Sequence, residues 1–127
     1  MRLILLLLLI PWQCYSQKNN VVECDVFYQM IISNDDVNVV DIRMQEDYQK
    51  ERIINAYWGG TKESFKPFLL EIDKKSRILL YCEIGKRSKE CSKWLHSLGY
   101  KNVYELRGGI CEWIKNGYPM DSSPIIQ

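Results

Sequence analysis

The sequence is short of several things, and each shortage removes a class of function. It has one histidine, His96, so a zinc centre built on imidazole ligands is not expected. Nor do the cysteines fall into a metal-binding pattern. Cys24, Cys82, Cys91 and Cys111 stand 58, 9 and 20 positions apart, and none of these is a ligand-pair spacing. Neither charge is in real excess, with 17 Lys and Arg against 16 Asp and Glu. Nucleic acid and anionic membrane surfaces are therefore not expected as the main partners. The chain of 127 residues has no repeat, low-complexity tract or linker, and its length suits one domain. No apolar run reaches the roughly 20 residues that cross a bilayer.

The longest apolar run, Leu3 to Ile10, instead has the layout of an export signal. Arg2 supplies a positive charge before it, Pro11 breaks it, and Cys14-Tyr15-Ser16 offers small residues for cleavage. The expectation is that residues 1–16 are a signal peptide cut after Ser16, that 17–127 form one domain, and that the product is exported to the periplasm without lasting membrane insertion. The alternative is a lipoprotein anchored through Cys14, but Pro11, Trp12 and Gln13 stand where that route has an aliphatic and two small residues. Cleavage leaves 111 residues with 16 basic and 16 acidic side chains, enough chain to bury a core without staples. The four remaining cysteines could form two disulfides in an oxidising compartment.

Hydrophobic periods alternate along the rest. Val26, Phe27, Met30 and Ile31 predict a helix over Asp25–Ile32, followed by a turn cluster at Ser33–Asp36. Val37–Ile42 is β-branched and short, hence a strand. Met44–Arg52 has room for one or two helical turns, and Ile53–Trp58 for a short strand ended by Gly59-Gly60. Thr61–Ile72 predicts a helix with Phe65, Phe68, Leu69 and Ile72 inward, interrupted or restarted at Pro67. Arg77–Tyr81 is nearly all apolar, as in a strand covered on both faces. Cys91, Trp94, Leu95 and Leu98 mark one helix face, with Gly99 as its stop. Val103–Leu106 is a strand, and Ile110–Asn116 a short helix with Trp113 and Ile114 inward, stopped by Gly117-Tyr118-Pro119. Strands separated by short helices imply an α/β fold with a parallel central sheet and helices on both faces.

Cys82 ends the apolar strand, and in open α/β sheets sites form at the carboxyl ends of strands. The stretch Glu83, Ile84, Gly85, Lys86, Arg87, Ser88 must then curl from strand into a helix starting near Ser88. Gly85 permits the tight curl. Consecutive N–H groups in such a curl form an anion-binding nest, the helix start adds its positive dipole end, and Lys86 and Arg87 add full charges. All of these favour the thiolate, which makes Cys82 a candidate nucleophile. Free cysteine is also a common small core residue, and that is the reading of Cys91 and Cys24. Trp58, Trp94 and Trp113 are read as core or pocket wall, His96 as solvated, and Arg107 as near the mouth without a role.

These residues carry a resemblance. "VVDIRMQEDYQKERIINA" (Val39–Ala56) and "LLYCEIGKRSKECSKWLHSLGYKNVYELRGGICEWIKNGYP" (Leu79–Pro119) resemble the two signatures of a single rhodanese domain, and the likeness runs from about Val21 to Pro119. The pattern C-x-x-G-x-R-S, the double glycine and the tryptophan are the specific parts. Two departures stand outside the cysteine loop: Glu51-Arg52-Ile53 replaces the family's Gly-His-Ile, and Asn55-Ala56 its Gly-Ala. The resemblance implies a rhodanese-like α/β fold and a sulfurtransferase. Cys82 would take the outer sulfur of a donor such as thiosulfate, release sulfite, and pass the persulfide sulfur to cyanide, a thiol or a protein acceptor. No metal or organic cofactor is implied. Asp41 and Arg43 resemble the family's structural pair and would support the loop. Relatives acting on phosphate or arsenate carry a longer loop; here Ser88 stands where their arginine would. Two rival readings remain: a persulfide- or partner-binding module without turnover, and a thiol redox protein pairing Cys82 with Cys91, Cys24 or Cys111.

Overall fold

The computed structural model describes residues 20–33 and 36–126. The expected export signal over 1–16, its cut after Ser16 and the alternative lipid site at Cys14 lie outside the described residues. In chain order these residues form β1 (Val21–Val22), α1 (Cys24–Ile32), β2 (Val37–Asp41), α2 (Gln45–Lys50), β3 (Arg52–Ile53), β4 (Tyr57–Trp58), α3 (Lys62–Leu69), β5 (Arg77–Tyr81), α4 (Lys86–Ser97), β6 (Val103–Leu106), α5 (Gly109–Lys115) and β7 (Met120–Asp121). The main sheet has the order β1-β6-β5-β2-β4, and all its pairings are parallel. This is the α/β sheet the alternating pattern implies.

Strand β5 lies between β2 and β6, so both of its faces are covered. Ile78, Leu80 and Cys82 pack with Phe65 and Leu69 of α3 and Leu95 of α4. Leu79 and Tyr81 pack with Phe27 of α1 and Ile110 and Trp113 of α5. That double burial is the reason its sequence is continuously apolar rather than alternating. Helix α3 keeps Pro67 inside it, and a reciprocal cap between Thr61 and Ser64 secures its first turn.

The structure departs from the sequence reading in several places. The single strand expected over Ile53–Trp58 is two strands in different sheets: β4 joins β2, while β3 pairs antiparallel with β7. The chain turns between them at Asn55, whose φ is +64°. Asparagine tolerates this left-handed conformation and so stands in for the glycine of the family pattern. Arg52, which replaces the family's histidine, is buried and donates to the carbonyls of Tyr48 at 3.0 Å and Ser123 at 2.5 Å. It also lies 3.5 Å from Asp121, so it ties the C-terminal segment to β3. Val26, Leu98 and Ile114, expected inward, are 44%, 42% and 48% exposed. Neighbours on a helix point about 100° apart, so Phe27 and Trp113 take the inner positions and turn Val26 and Ile114 outward; Leu98 lies just past α4. His96, expected to be solvated, is half-buried. Among the described residues no helix is long and apolar enough to cross a membrane.

Trp113 is fully buried, meets the Phe27 ring edge-on at 5.8 Å, and donates its indole N–H to the Pro119 carbonyl at 2.9 Å. Trp113→Ala is expected to cost about 3–5 kcal/mol, since it empties a large part of one sheet face. Urea denaturation checks this as a drop in midpoint with little change in slope.

Candidate active site

The carboxyl ends of the central strands are level with one another: Asp41 faces Tyr81 across β2 and β5, and Trp58 faces Asp41 across β4 and β2. Cys82 follows immediately. Gly85 has φ +97° and is the N-cap of α4, a backbone angle that suits glycine. Its N–H donates to the Cys82 sulfur at 3.1 Å. The Ser88 oxygen is 3.7 Å from the same sulfur, and the Ser88 hydroxyl donates to the Gly85 carbonyl at 3.1 Å. Helix α4 begins at Lys86, earlier than the expected start near Ser88, so Lys86, Arg87 and Ser88 form its first turn. The Cys82 side chain is 1% exposed yet lines a pocket of about 330 Å³. Arg43, Met44 and Asp47 form one wall, and Glu83, Ile84, Lys86 and Arg87 the other. Thus the expected loop residues converge on one pocket, except Gly85 and Ser88, which touch the sulfur from within.

The loop is held open by its contact with α5. The Cys82 carbonyl accepts from the Ile110 N–H at 2.9 Å, and the Glu83 carbonyl from the Cys111 N–H at 3.2 Å. With these carbonyls turned outward, the loop can aim N–H groups at the sulfur. Gly109, at φ +63°, makes the contact possible: a Cβ there would lie 2.4 Å from the Glu83 oxygen and 2.5 Å from the Cys82 oxygen.

Asp41 and Arg43 form a buried ion pair below the loop. Asp41 accepts from the Arg43 backbone N–H at 2.8 Å, from its Nη2 at 2.8 Å and from the Tyr81 hydroxyl at 2.6 Å. Burial, and then the Asp41 charge, push the Tyr81 phenol well above its ordinary range, so it stays a donor. Burial pulls the Arg43 guanidinium down, but its bond to Asp41 and the carboxylate's charge leave it above its usual value. Arg43 Nη2 also donates to the Glu51 carbonyl at 2.6 Å, and the Arg43 carbonyl accepts from the Trp58 indole at 2.9 Å. The pair therefore joins β2, β4 and β5 just before Cys82.

Two contributors escaped the sequence reading. Tyr81 reads as one more apolar residue of its strand, and nothing local shows that its hydroxyl bridges Asp41 and the Ile53 N–H, the latter at 3.0 Å. Glu105 is buried on β6, and burial pushes its carboxyl up, opposed by the neighbouring Ser88 hydroxyl and the Lys89 charge. The available signal was an acid inside an otherwise apolar strand. Other candidates are placed elsewhere. Arg107 turns to Glu23, at 2.5 Å. Cys24 is buried beside Trp113, Cys91 of α4 is half-buried against the core cluster that includes Phe65 and Leu69 of α3, and Cys111 is exposed with its sulfur 3.5 Å from Glu83. These thiols and Cys82 are all free.

A cysteine at the carboxyl edge of a parallel sheet, with the Gly85 N–H on its sulfur, defines an α/β domain with a thiol-centred loop site. Residues 23–116 match the Rhodanese-like domain, and the chain belongs to that family. It is 30% identical to a sulfurtransferase of Allochromatium vinosum over 80% of this chain and 94% of that protein. It is 31% identical to the tRNA uridine(34) hydroxylase of Pelagibacter ubique over 80% of this chain, and spans about a third of that protein's length, 34%. Among solved structures, a rhodanese-related protein from Thermoplasma volcanium shares the fold, with a TM-score of 0.69, 22% identity, and coverage of 82% of this chain and 99% of that one.

Two stability outcomes follow from this geometry. Gly117 also has a positive φ, +72°, but a Cβ there meets nothing within 4 Å, so Gly117→Ala is expected to cost only the roughly 1–2 kcal/mol of the backbone conformation. Gly109→Ala should cost clearly more in the same denaturation assay, because it also pushes α5 off the loop. Because the Glu105 carboxyl is raised in the fold, the folded state holds its proton more tightly than the unfolded state, so the charged form costs stability at neutral pH. Glu105→Gln is expected to raise the neutral-pH midpoint, with the gain fading as pH falls through the raised value towards the unfolded carboxyl range.

Proposed function

We propose that this protein is a sulfurtransferase that carries a sulfane sulfur on Cys82, from a donor such as thiosulfate to a thiophilic acceptor such as cyanide or a thiol. The observation that carries the reading is the Gly85 N–H aimed at the Cys82 sulfur at 3.1 Å, within a pocket open beside it. Its likeness to the sulfurtransferase of Allochromatium vinosum, nearly end to end, supports it.

In the first half-reaction the Cys82 thiolate attacks the outer sulfur of thiosulfate. The sulfur–sulfur bond of the donor breaks, and sulfite leaves with the electron pair. The persulfide then bears the negative charge on its outer sulfur, where loop N–H groups and the start of α4 stabilise it. Lys86 and Arg87 line the pocket and suit the donor's oxygens, Arg87 through its planar fork. In the second half-reaction the acceptor attacks the outer sulfur and Cys82 leaves as thiolate. Asp41, Arg43 and Tyr81 act by holding the strand ends that carry the loop.

Incubation with thiosulfate should add one sulfur atom to the intact mass and release an equivalent of sulfite, with both signals absent in Cys82→Ser. Absence of the sulfur in the wild type would refute the reading. Sulfur uptake without turnover to cyanide or thiols would instead indicate a binding module.

A further inference from the structure

A second cavity, of about 470 Å³, opens between α3 and α4 next to the Cys82 pocket. Arg87 lines both, so the two share a wall. The second cavity is within the size range of small-molecule sites and larger than an ion of a few atoms such as thiosulfate or cyanide requires. Its floor is apolar, formed by Ile42, Phe65 and Trp94 with Cys91. Burial, followed by the nearby Glu105 and Cys82, pushes the Cys91 thiol up to about 12, which leaves it a neutral floor group at physiological pH.

The rim is cationic. Arg87, Lys62 and Lys93 face the cavity against one carboxylate, Glu90. Lys93 lies 3.6 Å from Glu90, while the Lys62 ammonium sits 5.5 Å from the Trp94 ring. An apolar floor under a positive rim suits a ligand with a short carbon skeleton and more than one carboxylate. Its position across Arg87 from the nucleophile suits a ligand that also carries the reacting sulfur.

We propose that the cavity between α3 and α4 seats the carboxylate-bearing body of a small-molecule thiol, which reaches past Arg87 and accepts sulfur from Cys82. This rests on the sulfurtransferase reading of Cys82. The skeleton lies on Phe65 and Trp94, and the carboxylates face Lys62 and Lys93. The acceptor thiol gives its proton to the Cys82 persulfide anion and, as thiolate, attacks the outer sulfur. The bond between the two persulfide sulfurs breaks, Cys82 leaves as thiolate, and the proton departs with the acceptor's new persulfide. No oxidant or reductant is consumed.

The test compares two acceptors on the full chain supplied with thiosulfate: mercaptosuccinate, a dicarboxylate, and 2-mercaptoethanol, which is uncharged. In Lys62→Gln/Lys93→Gln the ratio of kcat/KM for mercaptosuccinate to that for 2-mercaptoethanol should fall about five- to tenfold, as expected for losing two surface charge contacts. The wild-type preference should also shrink as salt is raised. Cys91→Met, which fills the floor without changing charge, should lower the same ratio. Binding of S-methyl mercaptosuccinate to Cys82→Ser, followed by calorimetry, reads the cavity without any sulfur transfer and should weaken when the two lysine substitutions are added. Sulfur transfer with an unchanged ratio in both variants, or S-methyl mercaptosuccinate binding indifferent to the lysines, overturns the cavity assignment alone. Failure of wild-type Cys82 to gain sulfur from thiosulfate overturns the transfer reading, and the acceptor role with it.

Discussion

The carbonyl groups of Cys82 and Glu83 are taken by the N–H groups of Ile110 and Cys111, and what the loop can offer a sulfur atom depends on that contact. A peptide group has a donor end and an acceptor end, and a buried loop must satisfy both. Once α5 has the acceptors, the donor ends are free to point at Cys82, as the Gly85 N–H does. Left-handed glycines make this possible from both sides: Gly85 turns the loop into α4, and Gly109 lets α5 come close enough to bond. Neither would serve without the other.

Beneath the loop, the Asp41 carboxylate sets the level of the strand ends. It is fully buried, and an unpaired charge there would be severely destabilising. Arg43 and Tyr81 pair it, and in doing so bring together the residue before Ile42 and the residue before Cys82. Since Arg43 is engaged by Asp41 and by the Glu51 carbonyl, its charge is largely spent on the scaffold although it borders the pocket. The free cations at the Cys82 pocket are of a different kind, exposed residues of the first turn of α4. The same turn supplies Arg87 to the neighbouring cavity, so one helix start serves both the nucleophile and the space beside it.

Much of the fold and the centre of the site are legible in the sequence. β5 and β6 appear at the residues their apolar runs marked, and the curl from Cys82 into α4 follows from glycine and two cations placed after a buried strand. Asp41 and Arg43 were recognisable by resemblance, and they meet as an ion pair. The misreadings share one origin. Val26 and Ile114 are apolar but sit beside larger residues that claimed the core. The Ile53–Trp58 segment looked like one strand because its break is made by Asn55 and by a partner strand of two residues far along the chain.

Local order thus determined the alternation of strands and helices, the sharp turn after Cys82, and the chemistry its side chains can perform, because periodicity and backbone permissiveness act over a few neighbouring residues. Tertiary structure alone decided that Tyr81 would serve Asp41, that Gly109 would meet the Cys82 and Glu83 carbonyls, and that Lys62 and Arg87 would border one cavity. Those contacts join residues some 25 or more positions apart, and no pattern within a single element encodes which distant surface it will be packed against.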